Sequence, residues 1–449
     1  MTTAAARPDA ALWKLGGVLI MGAVLSILDA TIVTVGIDSI AHDLGSPVTT
    51  VQWVASAYLL AASAAIPLSG WLTDRFGGRA VWLTAVAIFT AGTLLCGFAW
   101  SAPALIAFRV LHGLGGGLMQ PVGQAVFAQT AGPALGRMIG VITLPATVAP
   151  VLGPLLGGAL VADFGWRWMF FGVVPLGVAT FVVARRLLPA PAPSGARSPL
   201  DVRGILLLSP GLAAFVYGLA EGVALAWVAG AVLLLVYGIH ASRAPSPVLD
   251  LKLFRDRGFS VASVSTFLLG ASLYSSMLLL PLYYEQVAHA SPWEAGLLLA
   301  PQAVGSAAVL LAGGRLLARF GPRRMMLAGI GLSLLGTVAF TQLGSAPSGV
   351  LLTVSLLIRG AGLGAATTPG MTTLYGSIER SRIPRAASAF NVINRVGGSL
   401  GTALLTAILH NSLASSDLSA AFGTTFTWAL ALSALTLVPA AFFPRRSTR

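Results

Sequence analysis

The chain predicts an all-α polytopic membrane protein of fourteen spans, and three features carry that expectation: a nearly unbroken series of apolar stretches, a one-sided distribution of arginine, and one motif present in two copies.

Of 449 residues, 56% are hydrophobic and 9% charged, against about a quarter charged in an ordinary soluble domain. No soluble core hides that much apolar surface. A membrane-crossing helix needs about twenty apolar residues, and stretches of that length follow one another from Leu12 to Phe443. They are rich in Leu, Ala and Gly and lack β-branched alternation, so their backbone hydrogen bonds close within helices rather than between barrel strands. The expected spans are 14–37, 51–72, 80–99, 103–126, 138–160, 168–187, 204–220, 223–241, 259–283, 294–317, 325–344, 350–375, 386–408 and 420–443. The first holds Asp29 and has no small-residue cleavage site, so it reads as a retained span rather than a signal sequence.

Arginine sets the orientation. With the N-terminus inside, the cytoplasmic segments take Arg75, Arg79, Arg137, Arg185, Arg186, Arg203, Arg243, Arg255, Arg319, Arg323, Arg324, Arg380, Arg382 and Arg385 among others, while the external loops take Arg167 alone. This is the positive-inside pattern, and an even span count puts both termini in the cytoplasm. Most of the net charge of +13 is therefore topological, and no nucleic-acid partner is expected. The single Cys96 can form neither an intramolecular disulfide nor a metal or redox cluster.

The motif Gly70-Trp-Leu-Thr-Asp74-Arg75-Phe-Gly77-Gly-Arg79 ends the second span, and Gly314-Arg-Leu-Leu-Ala318-Arg319-Phe-Gly321-Pro-Arg323 ends the tenth. The chain thus consists of two related halves, a plan in which rocking about a central site gives alternating access. The tract Pro189-Ala-Pro-Ala-Pro-Ser-Gly-Ala-Arg-Ser-Pro199 reads as an extended linker after the sixth span.

Asp29 lies midway along the first span. A carboxylate there costs about 2.5–3.5 kcal/mol, so it faces a bundle interior or wet cavity. It reads as a proton carrier, or more plainly as a hydrogen-bonded acid fixing helix packing. Asp38, near the external end, reads as a solvated mouth residue. Arg109, Arg359 and Arg395 also lie within apolar runs, and each needs a carboxylate, carbonyls or water. Arg109 could pair with Asp29 or satisfy backbone carbonyls only. In the fifth span, Pro150, Gly153, Pro154, Gly157 and Gly158 would make a bend or a tight helix seam. The glycines of the fourth span are no phosphate loop, since no lysine follows them.

At these residues the chain resembles the major facilitator superfamily, in its fourteen-span drug:proton antiporter family. The likeness runs nearly end to end: Leu28-Asp29-Ala-Thr31-Ile32-Val33 in the first span, Gly70 to Arg79, Leu105-Ile-Ala-Phe-Arg109-Val-Leu-His112-Gly113 in the fourth, and Gly153-Pro154 with Gly157-Gly158 in the fifth. The resemblance implies two six-helix bundles, residues 1–188 and 243–449, around a central cavity, with the linker and an inserted helix pair at 189–242. It implies a secondary transporter rather than an enzyme, with efflux of small molecules driven by a proton gradient and no cofactor or metal. By the same resemblance Asp29 and Arg109 belong to proton coupling; Gly70, Asp74, Arg75, Gly77 and Arg79 make the gate motif, with Asp74 and Arg75 at the cytoplasmic gate; and Pro150, Gly153, Pro154, Gly157 and Gly158 make the antiporter motif, with Pro154 at its hinge. Three positions depart from the pattern: His112 replaces glutamine, Asp38 replaces proline, and Ala318 replaces the acid of the second gate copy.

Trp53, Tyr58, His112, Gln120, Gln124, Tyr274, Asn391, Asn394 and Arg395 are candidates to line the substrate cavity. The leading expectation is an exporter of amphipathic drugs or antibiotics, with a host metabolite or lipid as the alternative cargo. A membrane enzyme fits poorly, because the five histidines suggest neither a metal set nor a Ser-His-acid set.

Overall fold

In the computed structural model, backbone structure is described for residues 10–444 except 137, 141, 145–152, 154–156, 158–159, 162, 190–198 and 346–347. Residues 190–198 of the expected linker tract and Pro150, Pro154 and Gly158 fall outside the described residues. Among those described, twelve helices are long and apolar enough to cross a membrane. They are α1 (Ala10–Ile32), α2 (Val48–Ala65), α3 (Gly78–Gly97), α4 (Ala102–Ala131), α5 (Arg167–Leu187) and α6 (Val202–Ala220). There follow α7 (Ala224–Arg243), α8 (Arg257–Gln286), α9 (Trp293–Gln342), α10 (Gly349–Gly376), α11 (Arg380–Leu413) and α12 (Leu418–Ala440).

Local sequence explains where these helices begin. Ser101, Asp201, Asp256 and Ser348 accept from the exposed amides of α4, α6, α8 and α10, and Ser291 with Glu294 makes a reciprocal capping box at α9. The second expected span is not continuous. Its helix ends at Ala65, and Leu68–Phe76 follows as a separate segment after Pro67, as proline removes a backbone donor.

The two motif copies make the same turn. Gly77 (φ 83°) separates Leu68–Phe76 from α3, and Gly321 (φ 75°) interrupts α9; only glycine takes this left-handed conformation without strain. At Gly321 the chain reverses. Before it, Gly305 lies against Leu357 and Gly313 against Thr368, so the helix runs with α10; after it, Gly329 lies against Ala366 and Gly336 against Ser355, so it runs against α10.

Packing repeats in register as well. A Cβ at Gly113, Gly117 or Gly115 would meet Tyr58 O, Ala62 O or Phe89 N at 2.4, 2.3 and 2.5 Å. In the second half Gly360, Gly364 and Gly362 meet Gln302 O, Ser306 O and Ser333 N at 2.0, 2.7 and 2.3 Å. Every contact recurs 244 residues on for α2 and α3, and 247 on for α4. Small residues therefore set helix approach identically in both halves, as van der Waals packing in lipid requires.

The buried apolar residues form two clusters. The larger runs through the first half and continues into the second only at the arginine-rich end, through Phe259, Met371, Tyr375, Ala387 and Val392. A separate cluster around Tyr283, Phe340, Leu356 and Phe422 fills the opposite end of the second half. The halves thus share a core at one end.

Candidate proton-coupling site and gate

The glycine seam between α4 and α2 brings Arg109 against neighbouring backbone. Its Nε donates to Val54 O at 2.9 Å and its Nη1 to Asp29 Oδ2 at 2.7 Å. Its Nη1 also lies 3.1 Å from His112 Nδ1, one turn along α4. Because arginine only donates, Nδ1 accepts and the proton resides on Nε2. That nitrogen lies 2.9 Å from Thr93 Oγ1, whose own hydroxyl donates to Phe89 O. The tautomer is thereby fixed as the neutral Nε2–H form.

Asp29, Arg109 and His112 are 0%, 1% and 0% exposed. The guanidinium lies 4.3 Å above the Tyr58 ring, and the Tyr58 hydroxyl donates to Ser26 O. One atom of this network is left bare: Asp29 Oδ1 is enclosed and has no hydrogen-bond partner among the described residues. The buried carboxylate thus has one satisfied and one bare oxygen. The fifth-span segment seats beside it, since a Cβ at Gly153 would fall 1.8 Å from Thr31 Oγ1 and one at Gly157 2.9 Å from Ile32 O.

The candidates for the cavity scatter. Tyr58 and His112 are walled into the ion-pair network rather than lining open space, because the close α2–α4 seam encloses Tyr58 and α3 packs on His112 through Gly92 and Phe89. Trp53, 41% exposed, stacks on Tyr217 of α6. Gln120 is exposed. Gln124 accepts from Asn391 Nδ2 at 2.8 Å and from the Tyr375 hydroxyl at 3.5 Å, tying α4 to α11 and α10. Tyr274 packs on Gly398, and Asn394 on Gly270, between α8 and α11. Arg395 is half-buried, with no partner among the described residues. Asp38 is exposed.

The gate motif faces the other half. Arg385 Nε donates to Asp74 Oδ2 at 2.9 Å, and a Cβ at Gly70 would sit 3.1 Å from Arg385 Cα. Ser388 Oγ donates to Ile66 O at 3.0 Å and Arg380 Nε to Gln129 O at 2.8 Å. Burial raises the Asp74 carboxyl pKa, opposed by the bond from Arg385. Arg79 caps the Arg185 carbonyl, and Arg75 is exposed. The sequence reading counted Arg385 only as topological charge, and missed Ser388 and Thr93 because a lone hydroxyl in an apolar run carries no distinctive pattern.

The second half repeats the α3–α4 contact with different chemistry. Gly92 abuts His112 as Gly336 abuts Arg359, and Thr337 bonds Arg359 Nε at 3.2 Å where Thr93 bonds His112. Arg359 thus stands in the register of His112, and Leu356 in that of Arg109. Its other partners are Gln302 Oε1 at 2.6 Å and the Ser276 hydroxyl. No carboxylate touches it among the described residues.

The Major Facilitator Superfamily model matches residues 19–402. The chain is 33% identical to a multidrug resistance protein B homolog of Mycobacterium tuberculosis, over 98% of this chain and 91% of that protein. It is 30% identical to the multidrug export protein EmrB of Haemophilus influenzae, over 86% and 78%. In structure it resembles the human organic anion transporter TETRAN (TM-score 0.69, 18% identity, 97% of this chain and 100% of that one). The proton:xylose symporter XylE is also similar (TM-score 0.65, 15% identity, 95% and 94%); at these identities the likeness speaks for the fold. Repeated halves, a shared end and end-to-end similarity agree that this chain is a multi-pass secondary active transporter belonging to the major facilitator superfamily.

Proposed function

We propose that the chain is a proton-coupled exporter of small amphipathic drugs or antibiotics. The observation that carries this reading is the enclosed Asp29–Arg109–His112 network with its bare Asp29 Oδ1. The relatives named for multidrug resistance and export supply the direction and the cargo class.

In this reading the chain crosses the membrane fourteen times. Support comes from the two passes of α9 either side of Gly321 and from the helical residues described between 138 and 164. Two six-helix units flank the inserted pair α6 and α7, and the arginine-rich end with both termini is cytoplasmic. The arrangement with Asp74–Arg385 closed is then the outward-facing state. A proton arriving from outside binds Asp29 Oδ1 and cancels the charge facing Arg109. The guanidinium keeps its bonds to Val54 O and His112 Nδ1, so it remains satisfied while its hold on α1 weakens. Rocking of the halves then opens the cytoplasmic end, the proton leaves, and drug enters. No metal or cofactor takes part.

The test is uptake of a fluorescent drug into everted membrane vesicles carrying the protein. A proton gradient, acid inside, should drive accumulation, and its collapse by a protonophore should release the drug. Accumulation indifferent to the gradient would reject proton coupling.

A further inference from the structure

We infer that the groove between α6 and α7 at the arginine-rich end is a binding site for one anionic phospholipid. Leu206 and Leu207, on the first turns of α6, face Val236 and Ile239, on the last turns of α7, around a space of about 620 Å³. These side chains are apolar and open, Leu206 at 65% and Ile239 at 57% exposure. α7 is the least buried of the twelve helices, so the groove faces the bilayer. Its walls run along the helix axes, the direction in which acyl chains lie.

The charge at its mouth decides which lipid. Arg203 and Arg243 line the same groove, both exposed and neither with an acidic partner among the described residues. The nearby acid is turned away: Asp201 accepts from Gly204 N at 2.9 Å, Val248 N at 3.3 Å and His240 Nε2 at 2.8 Å, inside the α6–α7 seam. Two guanidinium groups at the headgroup end of an apolar groove match a phosphate carrying net negative charge, which planar guanidinium binds in bidentate fashion. A zwitterionic headgroup would bring its own ammonium into the same cationic mouth. Basic pockets between helices on the cytoplasmic face are the general form of such sites.

Purified full-length protein, stripped of lipid and titrated in native mass spectrometry, tests this with phosphatidylglycerol and phosphatidylcholine of identical acyl chains. One phosphatidylglycerol should be retained in preference to phosphatidylcholine. Arg203→Ala with Arg243→Ala should weaken its binding about twenty-five-fold, about fivefold for each arginine, while lysine at both positions, which keeps the charge and loses the bidentate fork, should bind between the two. Leu206→Trp, which fills the groove and leaves the arginines in place, should expel the lipid as well. Equal binding of phosphatidylcholine, full retention by the double alanine variant, or retention by Leu206→Trp would overturn the site. So would displacement by millimolar inorganic phosphate, which would mark a free-anion site, or lipid-free dimers cross-linked through Leu206, which would put a second copy in the groove.

Discussion

Arg385 of α11 donates its Nε to the Asp74 carboxylate across 2.9 Å, joining the second half of the chain to the first at the arginine-rich end. The acid is 9% and the arginine 18% exposed, so removing one partner takes the opposite charge from the other in a partly dry seam. We predict that Arg385→Gln opens this end. A cysteine at Ser388, now bonded to Ile66 O, should react with a thiol reagent about tenfold faster in the variant than in wild type, the effect of about 1.4 kcal/mol. A double-mutant cycle with Asp74→Asn should be non-additive; additive effects would separate the residues.

The α2–α4 seam admits no methyl group. A Cβ at Gly117 would lie 2.3 Å from Ala62 O and 2.6 Å from its Cα, both rigid backbone. Gly117→Ala should therefore lower the thermal midpoint and cut transport at least tenfold, with overpacking costing about 1–3 kcal/mol. Gly331→Ala is the control, because nothing lies within 4 Å of its Cβ. That variant should keep wild-type transport; equal damage at both sites would mean that close approach is not what Gly117 supplies.

His112 acts as a neutral relay between Arg109 and Thr93. Glutamine can also accept from one and donate to the other, whereas leucine can do neither and removes one acceptor of Arg109 Nη1 and the donor to Thr93 Oγ1, leaving a buried N–H of the guanidinium unpaired at about 1–3 kcal/mol. His112→Gln should keep transport within about threefold and His112→Leu should lose it at least tenfold. Equal activity of the two variants would remove His112 from the network's function.

Charge placement bears on cargo. Among the described residues Asp29 is the one acid enclosed beside the α1–α4 seam, while the second half contributes Arg359, held by Ser276, Gln302 and Thr337, and Arg395, whose side chain has no partner among those residues. One carboxylate that also carries the proton balances only one positive charge. Neutral, zwitterionic, anionic and monocationic compounds should be exported, and matched dications should compete at least tenfold more weakly against a fluorescent monocation in everted vesicles. Equal competition would show that a rim acid such as Asp38 enters the cavity.

The sequence carried the helical architecture and its internal repeat because apolar run length and the Gly77/Gly321 turns are local properties. It also singled out Asp29 and Arg109, which the structure brings into contact, since a charge in an apolar run stands out. It did not carry the Asp74–Arg385 contact, which joins residues 311 apart, nor the relation of Arg359 to His112. Packing aligns Arg359 with His112 through Gly336 and Gly92, a relation between helices that no local pattern in the chain displays. Tyr58 and His112 read as cavity residues because polarity alone does not distinguish a cavity wall from a closed network. Their enclosure follows from Gly113 and Gly116 letting α2 approach at Tyr58 and from Gly92 letting α3 approach at His112.

The most direct test of the account is substrate-induced proton release from the purified protein, wild type against Asp29→Asn. The amide has nearly the shape of the acid and does not titrate near neutral pH, so the helices should pack as before and still bind drug. Wild-type protein should release protons when drug is added, and Asp29→Asn should release none and fail to concentrate drug in vesicles under a proton gradient. A variant that binds drug, releases protons and pumps at the wild-type rate would contradict the assignment of Asp29 as the coupling group.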